Sequence, residues 1–248
     1  METTAGQLGT QDFGRRVAVT RTGGRTFFFT GLSLAMFFIV LVGFSRTYYL
    51  KSAFGTPELT LLYHVHGAVF TSWMLLMILQ PALVATGRTP LHRRLGVVGG
   101  VLTAAMVVLG YLVSVDLARR GSAPPGMSAL AFMPVALATV VVFPALVGSA
   151  LWWRQYPATH KRLMLLATME LLPAGVGRWP VLSQGGPLVF FGGADLAIVA
   201  LLVYDRIATG RFHPATVWGG AFLVTSQVVR VLIGFTETWQ AFARWLIA

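Results

Sequence analysis

Residues 27–45 read FFFTGLSLAMFFIVLVGFS, a run without a single charge. A helix rises about 1.5 Å per residue, so about 20 apolar residues cross the hydrocarbon layer of a bilayer. The run follows a polar stretch carrying Arg15, Arg16, Arg21 and Arg25. It is too long and too aromatic for the apolar core of a signal peptide, which takes about 7–15 residues. It therefore predicts a first membrane span that stays in place.

Working outward from it, six further segments have the same character: 59–85, 95–117, 129–153, 162–180, 187–205 and 214–235. The chain is 56% hydrophobic, with a mean hydropathy of +0.72 and only 11% charged residues. A soluble domain carries about 25% charged residues, so lipid rather than water must cover most of this surface. The expected fold is an all-α polytopic transmembrane bundle of seven spans, one leading helix plus three helical hairpins. The expected organisation is a polar cytoplasmic N-tail over 1–25, a transmembrane domain over 26–235 and an interfacial C-terminal helix over 236–248. In that last segment Trp239, Phe242, Trp245 and Leu246 fall on roughly one face.

Charge sets the expected orientation. With seven spans, twelve lysines and arginines lie on the side of the N-tail and six on the other, with Arg230 inside a span. The richer side is cytoplasmic by the positive-inside rule, giving an N-in, C-out chain. The net charge of +11 sits in short clusters between apolar runs, which points to anionic lipid headgroups and not to nucleic acid. Subunits of a larger membrane complex are the other expected partners. The absence of cysteine excludes disulfides, thiolate metal sites, cysteine-ligated iron–sulfur clusters and c-type haem attachment.

Three loops on the basic side echo one another: GRTPLHRRLG (87–96), RQYPATHKRLM (154–164) and GRFHPAT (210–216). The first two share a proline, a histidine, two basic residues and a leucine, with one residue inserted. Their polar members are Arg88, His92, Arg93, Arg94, His160, Lys161, Arg162, Arg211 and His213. Basic residues at helix N-termini oppose the helix dipole unless an anion compensates, so headgroup anchoring is one reading. Ligation is the other: His92 and His160 lie at one depth and suit the axial positions of haem b. With His213 they make a three-histidine metal site conceivable.

A second group lies inside the spans: His64, His66, Gln80, Glu170, Asp195, Gln227 and Arg230. Charges in lipid are costly and usually face a bundle interior, paired. Residues two apart on a helix point in nearly opposite directions, so at most one of His64 and His66 faces a shared interior site. One reading is an outward-facing polar pocket of His66, Glu170, Asp195, Gln227 and Arg230, in which His66, Glu170 and Asp195 could hold a metal. The other is a structural salt bridge such as Arg230 with Asp195. Pro81, Pro134, Pro144 and Pro173 predict kinks within spans. P-loop, GxSxG, HExxH and Rossmann motifs are lacking, so no enzyme class is assigned.

The stretches TYYLKSAFGTPELTLLYHVHG (47–67), Gln80, GRTPLHRRLG, PATHKRLMLLAT (157–168) and HPATVWGG (213–220) resemble a group of uncharacterised bacterial multi-pass membrane proteins. A looser likeness over 66–96 is to domain of unknown function 2306. The resemblance implies a bacterial inner-membrane location and marks His66, Gln80, Arg88, His92 and Gly96 as motif positions. It implies no activity. The residues themselves leave three functions open: a membrane subunit holding a small molecule, haem or a metal; a transporter using Glu170, Asp195 and Arg230; or a non-catalytic assembly subunit.

Overall fold

The computed structural model describes residues 27–248; the polar tail expected over 1–25 lies outside them. The described residues form helices without strands. In chain order they are α1 (Phe27–Tyr49), α2 (Leu61–Ala85), α3 (Thr89–Arg119), α4 (Ala129–Trp152), α5 (Pro157–Met169), α6 (Leu172–Val176), α7 (Gly186–Thr209), α8 (Pro214–Gly234) and α9 (Glu237–Ile247). The last turn of α1, Ser45–Tyr49, widens to a π-helix. Six of these, α1 to α4, α7 and α8, are long and apolar enough to cross a membrane.

The segment expected over 162–180 is not one helix. It starts earlier, at Pro157, and its ladder breaks between α5 and α6. Pro173 explains the break: a proline lacks the N–H that would bond back to Met169, and its ring crowds that carbonyl. Glu170 still bonds back to Leu166, at 3.1 Å, whereas Leu171 tightens to Thr168, at 3.1 Å. The break thus falls at Glu170, where the ladder passes from four-residue to three-residue spacing. Pro81 within α2 and Pro134 and Pro144 within α4 lie inside continuous helices.

Side-chain contacts define two ends of the bundle. At the first end, Phe28 stacks on Tyr204 at 3.9 Å and Lys161 Nζ lies 4.0 Å from the centre of the Phe29 ring. The start of α1, the start of α5 and the end of α7 meet there. At the second end, the Tyr48 hydroxyl donates to the His64 carbonyl (3.1 Å), and Trp239 Nε1 donates to the Leu130 carbonyl (2.9 Å). Here the end of α1 meets the start of α2, and α9 meets the start of α4. Between the ends, α4 packs against α3, α5, α8 and α9, around a core that includes Met36, Trp73, Phe143, Leu166, Leu201 and Leu223.

Two glycines set helix spacing. A Cβ on Gly43 would overlap the backbone of Gly175, and one on Gly234 would overlap the Ala131 carbonyl. Backbones approach this closely only where side chains are absent. The C-terminal helix α9 divides its apolar residues differently from expectation. Trp239, Ala243, Leu246 and Ile247 pack against Val115, Ala118 and Met133, at the helical spacing of four, three and one. Phe242 and Trp245 remain exposed on another face.

Candidate functional site

Counted from Pro157 and Pro214, Glu170 lies about 20 Å on, just past the end of α5, and Arg230 about 24 Å along α8, at 1.5 Å per residue. In the folded chain they meet. Arg230 donates to both Glu170 oxygens, from Nη1 to Oε1 at 2.7 Å and from Nη2 to Oε2 at 3.1 Å. This two-pronged geometry is the strongest arrangement available to a guanidinium and a carboxylate. Thr139 of α4 donates to Glu170 Oε1 (2.9 Å). Arg230 is held from its own helix by the Ser226 carbonyl (3.1 Å) and hydroxyl (2.6 Å). Phe191 lies against the guanidinium, its ring centre 5.6 Å away. Both charged groups are buried.

The pair forms part of the wall of a cavity of about 400 Å³. Pockets of about 300–1,000 Å³ lined by apolar and aromatic side chains with a few polar groups are the common form of small-molecule sites. Here Phe70, Phe143, Phe190 and Phe191 supply aromatic surface, and Met74 and Met106 supply pliable apolar surface. Toward the second end the wall becomes polar, with Tyr48, Tyr63, His66 and Arg178. Tyr63 donates to Asp116 (2.7 Å), which also binds Arg120 (2.7 Å). Arg178 donates to the Ala174 carbonyl (2.6 Å) and lies over the Phe44 ring at 4.2 Å.

His66 stacks on Phe70 (4.0 Å) and its Nδ1 is buried without a hydrogen-bond partner. A buried polar nitrogen left unmatched is costly, and this one belongs to a residue of the cavity wall. Gly67 beside it accommodates the Tyr48 ring, which a Cβ would displace. His64 is exposed and tilts against Tyr48 at 6.1 Å instead.

The expected pocket is therefore divided. His66, Glu170 and Arg230 line the cavity. Asp195 and Gln227 do not; Gln227 donates to Asp195 at 2.8 Å. The expected Arg230–Asp195 bridge is replaced by Arg230–Glu170. The metal site of His66, Glu170 and Asp195 is not formed, because one carboxylate is taken by Arg230 and the other by Gln227. Among the described residues no three His, Asp or Glu side chains are grouped to hold a metal ion. The three-histidine site of His92, His160 and His213 is overturned by the same observation. His213 instead caps α8, its Nδ1 accepting from the Ala215 N–H (3.2 Å). Its ring is held below the ordinary histidine value, first by burial and then by the charge of Arg162.

Headgroup anchoring fits only part of the basic loops. Arg88, Arg93, Arg94 and Arg211 are exposed. Arg162 is buried and grips Asp205 of α7 through both Nε (2.9 Å) and Nη2. The other Asp205 oxygen accepts from the Thr216 hydroxyl (2.6 Å) and the His213 N–H (3.3 Å). Asp205 was not among the expected site residues. Its signal was periodicity: Ala194, Ile198, Leu201 and Asp205 follow one another at spacings of four, three and four, and all are buried.

The first end also joins Gln80, His92 and Gly96. The Gln80 amide lies 2.5 Å from His92 Nδ1 and 3.2 Å from both the His92 carbonyl and the Gly96 N–H. The His92 and His160 rings are 6.3 Å apart. Compared with models of protein families, with curated proteins and with solved structures, the chain matches none.

Proposed function

We propose that this chain is a seven-span protein of a bacterial inner membrane, N-terminus in, that holds a lipophilic small molecule in the cavity between α1, α2, α3, α4, α6 and α7. The single observation that carries the reading is the cavity itself: aromatic surface leading inward to a buried, fully matched Glu170–Arg230 pair. Such a site suits a molecule with a flat or flexible apolar body and a small hydrogen-bonding head. Seven crossings follow if α5 and α6 together make one. In favour, the start of α1 packs at the first end and α9 at the second, which is what an odd number of crossings requires. The exposed Arg88, Arg93, Arg94 and Arg211 then face anionic headgroups on the cytoplasmic side.

A transporter reading draws on Glu170 and Arg230 alone, since Asp195 lies off the cavity wall. An assembly role draws on the exposed apolar flanks of the helices, which lipid covers equally well.

The test is extraction. Protein purified in mild detergent is extracted with organic solvent and the extract analysed by mass spectrometry, alongside Ala136→Phe and Gly110→Phe variants that fill the cavity. One species is expected at near one per chain in the wild type and at least tenfold depleted in the variants. An extract identical in wild type and variants, holding only bulk lipid, overturns the reading.

A further inference from the structure

Three residues of the cavity wall are charged at neutral pH: Glu170, Arg178 and Arg230. Two of them cancel. Arg230 spends its donors on protein: on Glu170 (2.7 and 3.1 Å), on the Ser226 carbonyl and hydroxyl (3.1 and 2.6 Å) and on Thr139 (3.5 Å). The inner end of the cavity is therefore neutral overall, with no donor of Arg230 left for a charged guest. Arg178 is the opposite case. Lys51, Arg120, Arg162 and Arg230 each hold a carboxylate among the described residues; Arg178 holds none. Its one hydrogen bond among them runs from Nη1 to the Ala174 carbonyl, at 2.6 Å. That bond and the Phe44 ring, whose centre is 4.2 Å from the guanidinium carbon, keep the group in place. A guanidinium has five N–H donors, so four stay open. The nearby hydroxyls of Tyr48 and Tyr63 already donate elsewhere, to the His64 carbonyl and to Asp116. The wall thus carries one unbalanced positive charge, at its polar second end.

We infer that the guest is an amphiphilic acid, with its carboxylate or phosphate on Arg178 and its apolar body running inward past Phe70, Phe143, Phe190 and Phe191 toward the Glu170–Arg230 pair. The inference rests on the small-molecule reading proposed above and gives that molecule a charge and a direction. A cation set among apolar groups in a membrane is costly unless an anion pairs with it. The guanidinium fork matches two oxygens of a carboxylate or a phosphate. Glu170 and Arg178 are eight residues apart, roughly 12 Å at helical rise, which sets the reach of the body. A cavity of about 400 Å³ is near the low end of small-molecule sites. It suits one chain or ring system and not the two chains of a phospholipid.

Binding of three probes with one tail tests this: dodecanoate, dodecyl phosphate and dodecanol. Each is isotope-labelled and added to the purified full-length protein in nanodiscs of a zwitterionic phospholipid, at a pH that ionises both acids. The wild type should bind at least one acid tenfold more tightly than the alcohol, and the tighter acid names the head. Arg178→Gln should lose that preference while its dodecanol binding stays unchanged, which shows the cavity intact. Arg178→Lys keeps the charge without the fork and should retain part of the preference. Ala136→Phe should exclude all three probes. Equal binding of acids and alcohol by the wild type overturns the inference and leaves the cavity reading standing. So does a preference that survives in Arg178→Gln. An acid that Arg178→Gln loses but Ala136→Phe keeps is a headgroup contact on the surface, and overturns the inference as well. Exclusion of every probe from the wild type removes the cavity reading itself, and the inference with it.

Discussion

Two buried ion pairs, both drawn from the α5–α6 segment, have the same chemistry and different surroundings. Arg162–Asp205 lies near the first end, where both carboxylate oxygens are taken by protein groups from α5 and the start of α8. Glu170–Arg230 lies mid-bundle, equally buried and two-pronged, but it borders the cavity. Burial alone therefore does not separate a lock from a site. What separates them is whether any neighbour is an open volume. A pair enclosed on all sides can only hold helices together, whereas a pair on a cavity wall can also meet a guest.

That contrast breaks most clearly at Asp205. Asp205→Ala leaves the Arg162 cation buried without its partner, which costs about 3–5 kcal/mol. The expected outcome is a large fall in folded protein by size-exclusion chromatography and in melting temperature. The paired change Arg162→Met with Asp205→Leu should recover most of the loss, since apolar replacement of a buried pair is often neutral or better. If the pair fails to rescue, Asp205 does more than lock.

Glu170→Gln should cost less, about 1–3 kcal/mol. It keeps the Thr139 contact and the shape, and the Arg230 cation it strands borders the cavity and can recruit water. The same variant should change what the extraction recovers, while Asp205→Asn should not. Equal thermal losses for Glu170→Gln and Asp205→Ala, with unchanged extracts, would erase the distinction between the pairs.

The smallest effect concerns the edge of the lock. His213 accepts the Ala215 N–H at Nδ1, and its value is depressed by burial and Arg162. The unfolded chain takes up a proton near pH 6.5. The folded chain resists it, so the stabilisation is present above that pH and is lost as pH falls through the lower folded value. The melting temperature should therefore drop between pH 8 and pH 5 by more in the wild type than in His213→Asn, which keeps the cap without the titration. Parallel curves would show that His213 does not sense pH.

The bundle was largely legible from hydropathy, because a span advertises itself by length and composition. Which charges would meet was not. Glu170 and Arg230 stood out as intramembrane charges, but their pairing depends on the rotation of α8 about its axis, and no single-chain pattern fixes that. Arg162 read as a loop charge because it lies within about two turns of a helix start, and Asp205, equally near a helix end, drew no reading. Only their place on buried stripes, Leu201 to Asp205 and Arg162 to Leu166 and Met169, marks them as interior. The histidine pair was legible from the echoed loops. Its support, Gln80 on His92 and the Ala150 carbonyl 2.8 Å from His160 Nδ1, was not, because a backbone acceptor leaves no trace in side-chain identity.

The proline three residues after Glu170 has a consequence for parity. It separates α5 from α6, each too short to be counted by length and hydropathy beside the six long apolar helices; on the proposed reading the two together make a seventh crossing. An even count would return the chain to the side it started from. An odd count carries it across, and α9 with it, to the end opposite Phe28. The sidedness of everything after Pro173 thus hangs on reading a broken rod as a single stroke.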